Sequence, residues 1–107
     1  MSGGVPAYKV SITSAAERDI DESVKYICRD NTAAADKWLR EILDRIAFLE
    51  KFPARAPRIP EFSAVGEDYR HLVFRNHRIV FRIKGKAVIV MRVVHSARLL
   101  ELDEHRE

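Results

Sequence analysis

The sequence predicts a small α+β domain: an N-terminal strand, an antiparallel helix hairpin, then a three-stranded antiparallel meander (β-α-α-β-β-β) with a short C-terminal helix. Three observations predict it. Residues 8–13, "YKVSIT", alternate apolar and polar side chains with the period of a half-buried strand. Two stretches between residues 14 and 51 repeat apolar residues at spacings of three and four. After a proline-rich loop, three β-rich runs are joined by links of only two residues. An amphipathic helix pair must bury its stripe, and the sheet is the only surface the chain offers for it.

Each element has its own signals. In "SAAERDIDESVKYICRDN" Ser14 and Glu17 fit a capping box, and Ala16, Ile20, Val24, Ile27 and Cys28 form one apolar stripe. Cys28 is expected as a buried small hydrophobe. Asn31 ends the first helix, and Asn31 or Thr32 caps the second. The second helix, residues 33–51, presents Ala35, Trp38, Leu39, Ile42, Leu43, Ile46 and Leu49 on one side, while Asp36/Arg40 and Glu41/Arg45 support the other at i,i+4. Pro53 stops it. "PARAPRIPEFSAVG" holds three of the chain's four prolines and reads as an irregular ordered loop. The meander strands are expected over residues 69–75, 78–84 and 87–94, linked by "NH" and "GK". The last is apolar on both faces as far as Arg92, which places it centrally. "ARLLELDEHRE" supplies the closing helix, with leucines to dock it.

The 107 residues suit one domain, 1–107, with residues 1–7 as a flexible N-terminus. With 47% hydrophobic and 33% charged residues the chain reads as soluble and globular. No apolar run is long enough to span a bilayer, and "MSGGVPAY" lacks the features of a signal peptide, so a cytoplasmic location and no membrane partner are expected. A single cysteine excludes an internal disulfide and, without a Cys/His cluster, argues against a zinc site; neither metal nor cofactor is expected. Net charge is only +3, but residues 53–98 carry ten Lys/Arg against three acids. That asymmetry points to nucleic acid or an acidic protein as partner.

No Gly-rich phosphate loop, metal-ligand spacing or Ser-His-Asp arrangement stands out. What remains is a set of bases on the meander: Arg70 on its first strand, Arg78 and Arg82 on its second, Arg92, His95 and Arg98 on and after its third. Guanidiniums converging on a concave sheet bind phosphate bidentately, and a histidine beside them serves as acid or base near neutrality. Glu61 is a carboxylate within the basic segment that can assist. The plain alternative for Arg78, Arg82, Lys84 and Lys86 is a solvated hairpin, and for His95 a structural strand-end role. His71, His77 and His105 read as surface residues, and Trp38 as core or a partner-facing anchor.

The helix hairpin ending in "LEKFP", followed by "PRIPEF", "YRHLVFRNHRIVFRI" and "VIVMRVVHSARLL", resembles the RelE/ParE superfamily of toxins from bacterial type II toxin–antitoxin modules, from about residue 8 to residue 100. The resemblance implies a sheet covered by two helices and an antitoxin that wraps the toxin into a hetero-oligomer. Trp38 and Arg45 are its expected antitoxin contacts. RelE-like members cut messenger RNA on the ribosome without metal. In that reading Arg70, His95 and Glu61 are catalytic: Arg70 stabilises the scissile phosphate, His95 transfers a proton, and Glu61 is the general base. Arg78, Arg82, Arg98 and Arg58 hold RNA phosphate. ParE-like members instead poison DNA gyrase without nuclease activity. The resemblance departs from the ribonucleases at Ser96, where many carry a nearby tyrosine, and at Arg55 and Arg58, which replace a lysine pair. The expected function is a ribosome-dependent endoribonuclease toxin that inhibits translation; the alternatives are a gyrase inhibitor and a degenerate toxin that only binds its antitoxin.

Overall fold

The computed structural model describes residues 7–59 and 68–96. Glu61, Arg98, His105 and the expected C-terminal helix lie outside the described residues. The order is β1 (Lys9–Ile12), α1 (Ser14–Cys28), α2 (Thr32–Phe48), a short 3-10 helix (Pro53–Arg55), β2 (Tyr69–Phe74), β3 (His77–Lys84) and β4 (Ala87–His95). The α+β architecture is the expected one.

α2 ends at Phe48, three residues short of the expected residue 51, and the other joints differ from the sequence reading by single residues for local reasons. The N-cap of α1 is Thr13, not Ser14: Thr13 is extended, and its Oγ1 accepts the Ala16 N–H at 3.1 Å. The same hydroxyl donates to the Met91 carbonyl at 3.0 Å, so one side chain ends β1, starts α1 and ties both to β4. Asn31 caps α2 by accepting the Ala34 N–H at 3.0 Å. The β2–β3 turn is Arg75–Asn76, so His77 belongs to the strand; Arg75 takes the left-handed φ of +54° that this tight turn requires. At the β3–β4 turn Gly85 supplies the same conformation with φ +60°.

The sheet is mixed, in the order β1-β4-β3-β2. β2, β3 and β4 form the antiparallel meander, and β1 pairs parallel to β4, which is central as its two-faced apolarity required. Val80 pairs with Arg92 but Phe81 with Val90, so Met91 is the extra residue of a bulge. The bulge falls where β1 stops, since Ile12 pairs with Val90.

One face of the sheet carries the helices. Ile20, Trp38, Ile42, Ile46, Phe74, Ile79, Phe81, Val88 and Val90 make its core. On the other face Ile59, Tyr69, Val80 and Val94 form a smaller cluster with Met91 against it. Cys28, the last residue of α1, is exposed rather than buried, whereas Ile27 beside it packs against the core; the Cys28 Sγ lies 3.7 Å from Thr32 Oγ1.

Candidate functional site

Strand alternation sorts the basic residues before any contact is considered. On β3, Ile79 and Phe81 face the helices, so Arg78 and Arg82 share the open face with Val80. On β2, Leu72 and Phe74 face the helices, which puts Arg70 on their side and His71 on the open side. His77 precedes Arg78 and so faces the helices, and His95 is its cross-strand partner with ring centroids 5.7 Å apart. Two of the expected phosphate ligands, Arg78 and Arg82, therefore lie on the opposite side of the sheet from Arg70 and His95.

Arg70 and His95 are themselves separated along it. Arg70 pairs with Phe81 and His95 with His77, so they stand four positions apart along β3 and on its opposite flanks. Four strand positions span about 13 Å. Arg70 reaches away from His95: its Nε donates to Asp68 Oδ1 at 2.8 Å, and its Nη1 donates to the carbonyls of Ala54 at 3.0 Å and Ala56 at 2.6 Å. Those bonds fasten the 3-10 turn to β2. Arg58 lies beside it, bridging to Arg70 through the backbone and facing Asp68 at 3.7 Å, with its side chain exposed.

Arg78 is buried, 7% exposed, and its Nη1 lies 3.3 Å from His71 Nδ1. Arg82 is half-buried on the same face. Arg92 is held in a fork by Asp19 of α1, Nε to Oδ2 at 2.7 Å and Nη2 to Oδ1 at 3.0 Å. Asp19 Oδ2 also accepts the Val93 N–H at 2.8 Å. With Thr13 on the Met91 carbonyl, this covers backbone groups of β4 that β1 is too short to pair, a protected strand edge.

Trp38 is 6% exposed and packs against Phe74 and His77, with centroids 5.7 and 5.4 Å away, so of its two expected roles it fills the core one. Arg45 lies over the Phe74 ring at 5.5 Å. His77 is not the surface residue the sequence predicts. It is wedged between Trp38 and His95, and burial, then the neighbouring His95, push it below the usual histidine range, against an opposing pull from Asp19. Beside the pair a cleft of about 300 Å³ opens between α1 and β4, lined by Asp19, Glu22, Ser23, Tyr26, His77 and His95 among others.

Sequence reasoning missed Asp19 and His77. Asp19 carried a legible signal: it stands three residues after the fully buried Ala16, on the edge of the apolar stripe, where an acid needs a partner. His77 was hidden by the one-residue shift of the turn. Among the described residues no three His, Cys, Asp or Glu side chains are grouped to hold a metal ion, and no helix is long and apolar enough to cross a membrane.

The fold is shared with solved toxin–antitoxin structures. A chain of the chromosomal ParDE system from P. aeruginosa matches with a TM-score of 0.69 at 22% identity, over 83% of this chain and 96% of that one. A chain of the RelBE2 toxin–antitoxin complex from Mycobacterium tuberculosis matches with a TM-score of 0.61 at 19% identity, over 83% and 98%. No curated protein sequence matches significantly. The sequence model of the family described as "ParE toxin of type II toxin-antitoxin system, parDE" matches residues 10–100. On that match across most of its length, the chain belongs to the ParE toxin family, within the RelE/ParE superfamily of type II toxins.

Proposed function

We propose that this toxin acts by binding its target rather than by cutting RNA, as an inhibitor of DNA gyrase held inactive by a cognate antitoxin. One observation carries the reading. The arginine that the ribonuclease pattern requires at the scissile phosphate, Arg70, is engaged with Asp68 and two loop carbonyls, on the far flank of the sheet from His95. A phosphate bridging the two would have to span more than a nucleotide, and near-attack geometry needs reacting groups within about 3–3.5 Å. The cleft that holds His95 supports the same reading, because Asp19 and Glu22 line it and a polyanion gains nothing there. Membership of the ParE family agrees. The antitoxin partner is supported by neighbours that come from toxin–antitoxin complexes.

The ribosome-dependent nuclease is the second reading, and the open face favours it. Buried Arg78 beside His71, half-buried Arg82 and exposed Lys84 make that face cationic, which suits RNA phosphates. In that reading Arg70, Arg78, Arg82, Arg58 and Arg98 neutralise phosphate and Glu61 activates the ribose 2′-hydroxyl. The hydroxyl attacks phosphorus, His95 protonates the departing 5′-oxygen, and a 2′,3′-cyclic phosphate remains.

Inducible expression separates the two. The binding reading expects SOS induction that survives His95→Gln, with messenger RNA intact. Messenger RNA cleavage that His95→Gln abolishes, without SOS induction, overturns it in favour of the nuclease.

A further inference from the structure

His77 opens β3 on the helix-covered face, in a position where its strand neighbours Ile79 and Phe81 are apolar. Its ring stands edge-on to Trp38 at 5.4 Å and to His95 at 5.7 Å, and Phe74 is its register partner on β2. Its Nδ1 is buried and has no hydrogen-bond partner among the described residues. A neutral imidazole tolerates this with a bare acceptor nitrogen there. Protonation places an N–H and a positive charge at the same point, where neither is satisfied.

The surrounding charges offer that proton no home. On α1, Asp19 is committed to Arg92 and the Val93 N–H, and Glu22 stands at the cleft rather than in the wedge. β4 presents His95, which repels a second imidazolium. α2 presents the Trp38 ring, and Arg75, beyond the end of β2, is bound to Glu41. We propose that His77 is a proton-operated latch: on protonation its ring leaves the Trp38–His95 wedge for the cleft of about 300 Å³ beside α1, where Glu22 can receive it, and the His95 end of β4 loosens from α2. Burial holds His77 below the usual histidine range. The closed latch is therefore fully stabilising above the unfolded-state value of about 6.5 and loses that contribution as pH falls through the lower folded-state value.

Trp38 is the chain's only tryptophan and touches the latch, so its emission reports the ring. The full-length protein is titrated from about pH 8 to about pH 5, across the histidine range. The expected result is a reversible step in Trp38 emission, with a midpoint below about 6.5 and unchanged far-UV circular dichroism. His77→Phe removes the step, and His95→Gln, which deletes the like charge, moves the midpoint upward. A step that survives His77→Phe, or no step in the wild-type protein, overturns the latch. Should His77→Phe not fold, histidine ring-proton NMR on the wild-type protein decides. Titration of His77 below the usual value, with the Trp38 indole resonance moving in step, supports the latch; titration at or above that value overturns it.

Discussion

The two faces of the sheet are built from the same strands and do different work. The helix side is a continuous apolar core, into which Phe74, Ile79, Phe81 and Val90 project between Trp38, Ile42 and Ile46. The open side is a four-residue cluster, Ile59, Tyr69, Val80 and Val94, flanked by Arg78 and Arg82. The difference comes from a period of two: Ile79, Phe81 and Ile83 of β3 face the helices, and of the residues that alternate with them Arg78, Arg82 and Lys84 are bases and Val80 alone is apolar. A dense run of charge in the sequence is thus split between faces. The open-face half, Arg82 and Lys84 with Arg78 buried on the same side, can present a common cationic surface, whereas Arg70 and Arg92, which contact the loop and α1, act as ties within the fold.

If the helix side is the main core, its truncation has the largest effect. Phe81→Ala should cost about 3–5 kcal/mol in urea unfolding, the range for deleting a buried aromatic ring. Ile59→Ala, in the smaller cluster, should cost less, because fewer neighbours lose contacts. Equal losses would show that the open face is a core of the same weight. Next in size is Asp19→Ala. Asp19 and Arg92 are 13% and 14% exposed, and removal of one partner also strips the Val93 N–H of its acceptor. A cost of about 2–4 kcal/mol is expected, somewhat under that of a fully buried pair. The exposed Lys25–Asp21 pair on the same helix serves as the control, and Asp21→Ala should cost less than about 1 kcal/mol. A similar loss at both sites would mean that Asp19 contributes no more than a surface charge.

Arg70 sharpens the comparison in a different way, because stability and activity part company there. As a tie, Arg70→Ala frees two carbonyls and Asp68, and should cost about 1–2 kcal/mol. The toxicity that remains should scale with folded protein. Toxicity abolished in a variant of wild-type stability would mark Arg70 as a phosphate ligand instead.

How far these features were legible follows from what local sequence encodes. The alternation of "RIVFRIK", the stripe of α2 and the two-residue links are local patterns, and they delivered the meander, the helix pair and the central place of β4. Which bases meet was not local. It depended on the face each occupies and on the turn lying at Arg75–Asn76, one residue earlier than read, which moved His77 from the surface into contact with Trp38. Arg70 shows the limit from the other side: its type and strand suit a phosphate ligand, but Ala54 and Ala56 are loop neighbours whose carbonyls no spacing rule places beside it.

The smallest effect belongs to the β2–β3 turn, where the hairpin forms an ion pair with α2. Arg75 carries a φ of +54°, a backbone cost of about 1 kcal/mol for a residue with a Cβ, and its Nε donates to Glu41 Oε1 at 3.1 Å. Arg75→Gly removes the cost and the ion pair together, so unfolding should give a change near zero. Glu41→Gln removes only the pair and should be slightly destabilising at neutral pH. The hydrogen bond from Arg75 holds the Glu41 carboxyl below the usual carboxylate range, so the anion stabilises the fold above the unfolded-state value of about 4.3 and stops doing so as pH falls through the lower folded-state value. The gap between wild type and Glu41→Gln should accordingly close as pH falls below that folded-state value. A gap that persists there would mean that Glu41 supports the turn through packing, and that the near-neutral result at Arg75 hides a larger backbone strain.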